Sequence, residues 1–78
     1  MSLRRARQPM SDLVRSALDE RGLRARYDER PPYQRNDYLG WINRAKQPET
    51  MMRRLEQMLD ELEAGDRYMK MPWSGRSR

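Results

Sequence analysis

The stretch from Pro31 to Gly65 constrains the fold of this 78-residue chain most, because it predicts two consecutive helices joined by a tight corner. Pro31 and Pro32 suit the first turn of a helix, where a missing amide hydrogen costs nothing. Pro48 is placed to begin the next helix in the same way, and Gly65 can adopt the left-handed conformation that ends it. The sequence therefore predicts a helical hairpin with a short connector.

Apolar residues recur at helical spacing in both of these helices, as expected of helices that pack against each other. In the first of them the apolar residues are Tyr38, Leu39, Ile42 and Ala45, with Trp41 at the edge of the stripe. In the second they are Met51, Met52, Leu55, Met58, Leu59 and Leu62. We expect the two stripes to form most of the core.

An earlier helix is predicted to begin after Ser11, whose hydroxyl can accept from free amides of the first turn. Gly22 should end this helix, with Leu23 contacting Leu18 as in a Schellman motif. Its apolar face comprises Met10, Leu13, Val14, Ala17 and Leu18. Residues 23–30 alternate weakly and have no partner strand, so an extended connector is expected there.

The predicted fold is all-α, a small domain of three helices over residues 10–66. Residues 1–9 are rich in Arg and Gln, and we expect a disordered basic arm. Residues 67–78 form a C-terminal tail that packs partly on the helices through Trp73. Its Tyr68, Met69 and Met71 beside basic residues would also suit base stacking or a membrane interface, but packing is the commoner fate of a Trp in so short a chain.

The chain contains neither cysteine nor histidine. The usual zinc ligands and the usual neutral-pH acid and base are therefore missing, and we expect no cofactor, no metal and no enzymatic activity. No apolar run reaches the roughly 20 residues that span a bilayer, and no signal peptide is evident. We expect a cytoplasmic protein that is a monomer or a weak oligomer.

The net charge of +5 is unevenly distributed, since both ends are basic whereas residues 48–66 hold six acidic and two basic residues. The basic ends could bind nucleic acid without sequence preference, in a manner that weakens with added salt. The candidate contacts are Arg4, Arg5, Arg7, Arg76 and Arg78. Basic residues could equally pair with Asp60, Glu61 and Glu63 of the same molecule, and we expect those acids to be exposed.

A second candidate surface lies near the corner of the helical hairpin. Aromatic, cationic and hydroxyl groups could gather there, from Tyr38, Trp41, Lys46, Thr50, Met51 and Arg54. Each also has an ordinary structural explanation, because the aromatic residues suit a core and Lys46 suits a helix C-terminus. Since no reactive groups converge, we expect a non-enzymatic module that binds an unknown protein partner, with nucleic-acid binding as the alternative.

The run from Asp28 to Gly65 resembles the bacteriocin-protection family, also called YdeI or OmpD-associated. The residues that carry the resemblance are Pro32, Arg35, Tyr38, Leu39, Trp41, Ile42, Ala45, Lys46, Pro48, Glu49, Thr50, Arg53, Arg54, Leu55 and Gly65. The resemblance implies a compact helical module, and the family name implies envelope stress or an outer-membrane partner. Met51 and Tyr33 depart from the family pattern, which usually has an arginine and a small hydroxyl residue there.

Overall fold

A computed structural model of the chain describes residues 7–73. Over this range the chain forms four helices followed by a two-stranded antiparallel sheet. The helices are α1 (Asp12–Glu20), α2 (Arg24–Glu29), α3 (Pro32–Asn43) and α4 (Pro48–Ala64), and the strands are β1 (Arg67–Tyr68) and β2 (Met71–Pro72). The mostly helical architecture is confirmed, but the expected three-helix count is wrong.

Helix α1 begins and ends as its sequence predicts. The Ser11 hydroxyl accepts a hydrogen bond from the Val14 amide at 3.3 Å. At the other end, Gly22 has a φ of +65°. The Leu23 amide donates to the Leu18 carbonyl at 2.9 Å, and the Gly22 amide to the Asp19 carbonyl at 3.1 Å, which together form a Schellman motif.

Helix α2 replaces the extended connector expected over residues 23–30. The alternation of Leu23, Ala25 and Tyr27 was misleading, since Leu23 and Tyr27 are buried and Ala25 is exposed. Leu23, Tyr27 and Arg30 recur at the helical spacing of four and three residues, and all three are buried. The helix stops before Arg30 because Pro31 disfavours helical geometry in the residue that precedes it.

Helices α3 and α4 form the largest helix–helix contact in the described chain. The Tyr38 hydroxyl donates to the Glu61 carboxylate. Nearer the connector, an Arg54 nitrogen donates to the Trp41 carbonyl at 2.7 Å. Because later residues of α3 meet earlier residues of α4, the two helices are antiparallel, which matches the predicted hairpin.

The segment after α4 is a tight β-hairpin, although no strand was expected in this tail. Tyr68 pairs with Met71, and Arg67 pairs with Pro72. Trp73 lies beyond the hairpin, where its ring stacks on the Arg30 guanidinium at 4.4 Å. Residues 74–78 lie outside the described range.

Eleven buried apolar side chains from all four helices form one core. They are Val14, Leu18, Leu23, Tyr27, Tyr38, Leu39, Ile42, Leu55, Met58, Leu59 and Leu62. Leu13 and Met52, which the sequence assigned to apolar faces, are instead exposed. None of the described helices is long and apolar enough to cross a membrane.

Replacing Gly22 tests the backbone requirement at the end of α1 separately from packing. A Cβ at this position would meet no atom within 4 Å, so Gly22→Ala should destabilise only through its left-handed φ, by about 1–2 kcal/mol. Gly22→Asn should cost less, because asparagine tolerates this conformation. Urea unfolding of both variants measures the difference, and equal losses would contradict the explanation.

Candidate functional site

Glu61 is a buried carboxylate that receives hydrogen bonds from three parts of the fold. Its side chain accepts from the Tyr38 hydroxyl on α3 and from the Gln57 amide at 3.2 Å on α4. It also accepts from the backbone amides of Met69 at 2.8 Å and Lys70 at 2.7 Å. These donors offset the large cost of removing a carboxylate from water. The expectation that Glu61 belongs to an exposed acidic surface is therefore wrong.

The two amides that Glu61 binds belong to the turn between β1 and β2. Met69 has a φ of +50° and Lys70 a φ of +67°, so both occupy the left-handed region without being glycine. Two consecutive residues with positive φ form a type I′ turn, which suits a two-residue β-hairpin. Such turns are usually built from Asn and Gly. The Glu61 carboxylate thus stabilises a turn whose backbone conformation is unfavourable for methionine and lysine.

Arg26 of α2 and Arg30, which directly follows α2, donate to backbone carbonyls in the last turn of α4. Arg30 donates to the Glu61 carbonyl at 3.0 Å and to the Gln34 side chain at 3.0 Å. Arg26 donates to the Glu63 carbonyl at 2.5 Å. A positive charge at this end also offsets the partial negative charge of the helix dipole. Arg26 and Arg30 therefore join α2 to α4.

The hydrogen bonds of this polar network join separate parts of the fold. Burial and, to a smaller extent, the hydrogen bond to Glu61 raise the pKa of the Tyr38 phenol well above its usual value. The phenol is thus a poor acid at neutral pH, and the carboxylate beside it is surrounded by donors. Within residues 7–73, no three acidic side chains are grouped so that they could hold a metal ion.

The N-terminal segment 7–10 lies across the outer face of α3, and we call it the strap. The Gln8 amide donates to the Asn36 side chain at 2.7 Å, and the Asn43 side chain donates to the Pro9 carbonyl at 3.0 Å. Gly40 lies between these two contacts, and a Cβ there would come within 3.1 Å of the Gln8 side chain. The absence of a side chain at Gly40 therefore lets the strap approach the helix.

A concave surface lies between the strap and the β-hairpin, and we call it the Trp41 surface. It encloses about 380 Å³ and is lined by Gln8, Asn36, Asp37, Gly40, Trp41, Arg44, Tyr68, Met69 and Met71. Met71 is 53 % exposed. The Tyr68 hydroxyl donates to the Asp37 carboxylate at 2.6 Å, which fixes the hairpin against α3.

A larger cavity lies on the other side of the strap, between α2 and α3, and we call it the Arg35 cavity. It encloses about 740 Å³ and is lined by Arg7, Gln8, Tyr27, Pro32, Tyr33, Arg35, Asn36 and Leu39. Burial raises the pKa of the Tyr27 phenol, although the positive charge of Arg35 partly opposes this effect. The strap thus contributes a wall to both concave surfaces.

The structure brings together only part of the candidate surface predicted near the connector between α3 and α4. The Arg54 guanidinium lies 5.3 Å from the Trp41 ring and faces it, whereas Tyr38 is fully buried. Lys46 is exposed, and Thr50 and Met51 are partly buried. Of the five predicted nucleic-acid contacts, Arg7 lies within the described residues. The other four, Arg4, Arg5, Arg76 and Arg78, lie outside them.

Sequence reasoning missed the residues that shape the two concave surfaces. Gln8 was assigned to a disordered arm, yet it contacts Asn36. Arg35 was noted only within the family resemblance. Tyr68, Met69 and Met71 were assigned to a tail, whose sequence lacks the Asn-Gly or Asp-Gly signal of a two-residue hairpin. The spacing of Asn36, Gly40 and Asn43 was the one signal available, because it places polar or small groups along one face of α3.

Comparison with known proteins gives a match to a family. A model of the family described as Bacteriocin-protection, YdeI or OmpD-Associated matches residues 9–65. This range extends the resemblance seen in the sequence to include α1, α2 and part of the strap. No curated protein and no solved structure gave a significant match.

Replacing Glu61 should weaken the junction of α3, α4 and the hairpin. Glu61→Gln leaves one amide nitrogen facing donors, so we expect a loss of about 1–3 kcal/mol in the free energy of unfolding. Urea denaturation measures this loss. Glu63→Gln is the matched control, because Glu63 is exposed and pairs with Arg21 at the surface, where an ion pair contributes little. Equal effects of the two variants would contradict the role assigned to Glu61.

The buried phenols should make the protein less stable at alkaline pH. The unfolded chain releases the Tyr38 proton near pH 10, whereas the folded chain retains it. The folded state therefore binds more protons, and the free energy of unfolding should fall as the pH rises above about 10. Tyr27 contributes in the same direction.

Urea unfolding between pH 8 and pH 11 measures this slope. Tyr38→Phe should make the alkaline decline shallower, even though losing the bond to Glu61 lowers stability at every pH. Tyr33→Phe, which removes a half-exposed phenol from the same helix, is the control. If Tyr38→Phe kept the wild-type slope, the proposed cause of the alkaline decline would be wrong.

Proposed function

We propose that this protein, which belongs to the bacteriocin-protection, YdeI or OmpD-associated family, is a non-enzymatic module that binds a partner protein through the Trp41 surface. The observation that carries the proposal is the exposure of Met71 beside Trp41, Tyr68 and Met69 around a concave surface. Apolar side chains in such a place are typical of binding sites for apolar groups of a partner.

The residue types of the Trp41 surface support this proposal. Tryptophan, tyrosine and methionine are enriched where proteins bind each other. Trp41 is held by Arg54, which faces its ring and donates to its carbonyl. A ring that is already fixed loses little conformational entropy on binding. Met69 and Met71 can adapt their flexible side chains to the shape of the bound group.

The lining of the surface also indicates the chemistry of its occupant. Trp41, Met69 and Met71 would surround one apolar side chain, since about 380 Å³ lies near the lower limit of small binding pockets. Asp37 and Arg44 are the charged groups of the lining. We therefore expect an apolar anchor flanked by polar or charged residues. The family description, which includes association with OmpD, is in keeping with a protein partner.

The absence of enzymatic activity belongs to the same proposal. The chain has no histidine or cysteine, and its buried carboxylate, Glu61, is occupied by hydrogen bonds that hold the fold. In the Trp41 surface the Tyr68 hydroxyl is bound to the Asp37 carboxylate, and we assign this pair to holding the β-hairpin against α3. A cytoplasmic location stays a prediction from the sequence.

Nucleic-acid binding through the basic ends also stays a prediction. Several described arginines are engaged by acceptors within the protein. Arg21 lies within 4 Å of Glu56, Asp60 and Glu63, and Arg24 pairs with Asp28 at 3.2 Å. These contacts support the intramolecular explanation for part of the positive charge, so we favour the protein partner.

Substitution of Met71 tests the proposed surface. Peptides selected from a random displayed library against the wild-type protein should contain an apolar anchor. Their affinity for Met71→Gln should be at least about tenfold lower, because a polar side chain replaces apolar contact area. Isothermal titration with the selected peptides measures the change, and amide shifts should map to Trp41, Tyr68 and Met69.

The matched control is Met52→Gln on α4, because Met52 is similarly exposed, at 44 %, but lies outside the Trp41 surface. This variant should bind the peptides as the wild type does. Peptides that bind Met71→Gln undiminished, or a selection that enriches no sequence, would contradict the proposal. Thermal unfolding of both variants checks that the fold is retained.

A further inference from the structure

The Arg35 cavity has the size and the charge of a ligand site, and it is separate from the Trp41 surface. Its volume of about 740 Å³ falls within the range of small-molecule pockets. Among the described residues, its lining includes two arginines, Arg7 and Arg35, and no acidic residue. The strap lies between the two concave surfaces, so a ligand could occupy one without touching the other.

Arg35 differs from the other buried or half-buried arginines of this fold. Arg30 and Arg54 donate to carbonyl or amide oxygens within the protein. The Nε–H of Arg35 is buried and has no hydrogen-bond partner among the described residues. A buried donor without an acceptor costs free energy, and a rotation of the Arg35 side chain towards the cavity that it lines would let a ligand oxygen remove that cost.

The lining of the cavity also includes apolar and aromatic residues. Tyr27 is 4 % exposed, and Leu39 is 6 % exposed, so both are held firmly in the core. Pro32 and Tyr33 line the cavity from the first turn of α3. Asn36 and Gln8, which bind each other, add amide groups beside the arginines. The cavity therefore offers positive charge next to apolar surface.

We propose that the Arg35 cavity binds an oxyanion, a carboxylate or a phosphate, that is carried on a flat apolar group. The guanidinium of Arg35 would bind two oxygens of the anion in a planar pair, a geometry that guanidinium shares with both groups. Arg7 on the strap would add a second positive charge. The apolar part of the ligand would lie against Tyr27 and Leu39.

The test uses the whole chain and simple probes. Sodium benzoate has one carboxylate on a flat ring, phenyl phosphate has a phosphate on the same ring, and benzyl alcohol has the ring without a charge. Each is titrated into labelled protein at constant ionic strength, with sodium chloride as the balancing salt. Two-dimensional NMR spectra record the Nε–H signal of Arg35 and the amide signals of the cavity.

We expect saturable shifts of the Arg35 Nε–H signal with benzoate or phenyl phosphate, at an affinity at least about tenfold tighter than that of benzyl alcohol, because the ion pair dominates. The tighter of the two anions identifies the source of the oxyanion. Arg35→Gln should weaken binding at least about tenfold, whereas Arg53→Gln on the exposed part of α4 should leave it unchanged.

Shifts that grow linearly without saturating, or equal affinity for benzyl alcohol and benzoate, would overturn the proposal. Unchanged binding in Arg35→Gln would overturn it too. If that variant fails to fold, Arg7→Gln replaces it, since Arg7 is exposed and its loss should weaken anion binding severalfold. The comparison of charged and neutral probes on the wild type needs no variant at all.

Discussion

The buried carboxylate of Glu61 is the interaction on which most of this structure depends. A chain of 78 residues with 36 % hydrophobic residues buries little apolar surface, so its core alone holds the fold weakly. Glu61 compensates by joining Tyr38 of α3 and the turn at Met69 and Lys70 to α4. Hydrogen bonds to a charged acceptor are about twice as strong as neutral ones. One side chain thereby fixes the position of a hairpin that could not form by itself, because an isolated two-stranded hairpin is at best marginally stable.

The end of α4 shows the same use of polar groups in place of apolar area. Its last carbonyls accept hydrogen bonds from Arg26, which lies in a helix of only six residues, and from Arg30, which directly follows that helix. Such a short helix is unstable in isolation. It persists because Leu23 and Tyr27 are buried on one face while the two arginines reach across to α4. Trp73 then covers the Arg30 guanidinium, so the residue after the hairpin and the second helix stabilise each other.

The sequence could predict those features that depend on residues close to one another in the chain. Ser11, Gly22, Pro32 and Pro48 act on their own turn of chain, and every helix end they predict is where the structure has it. The second helix was missed because its alternating residues resemble a strand, and its helicity depends on distant carbonyls. Glu61 was placed at the surface for the same reason, since nothing beside it in the sequence announces that four donors converge on its side chain. The two concave surfaces depend on Gln8, Arg35 and Met71, whose roles arise only from tertiary contacts.

The strap and the hairpin explain why both candidate sites lie along α3. Neither Gln8 nor Met71 belongs to the helical core, yet each forms one wall of a concave surface. Gly40 permits the strap to lie close to the helix, and Asn36 and Asn43 hold it there. A change that loosened the contacts of Gln8 and Pro9 would therefore open both surfaces without removing a buried side chain from the core. A change at Glu61 would instead loosen the β-hairpin, whose Tyr68, Met69 and Met71 line the Trp41 surface and not the Arg35 cavity. A change in the strap would thus affect both surfaces, whereas a change in the β-hairpin would affect the Trp41 surface alone.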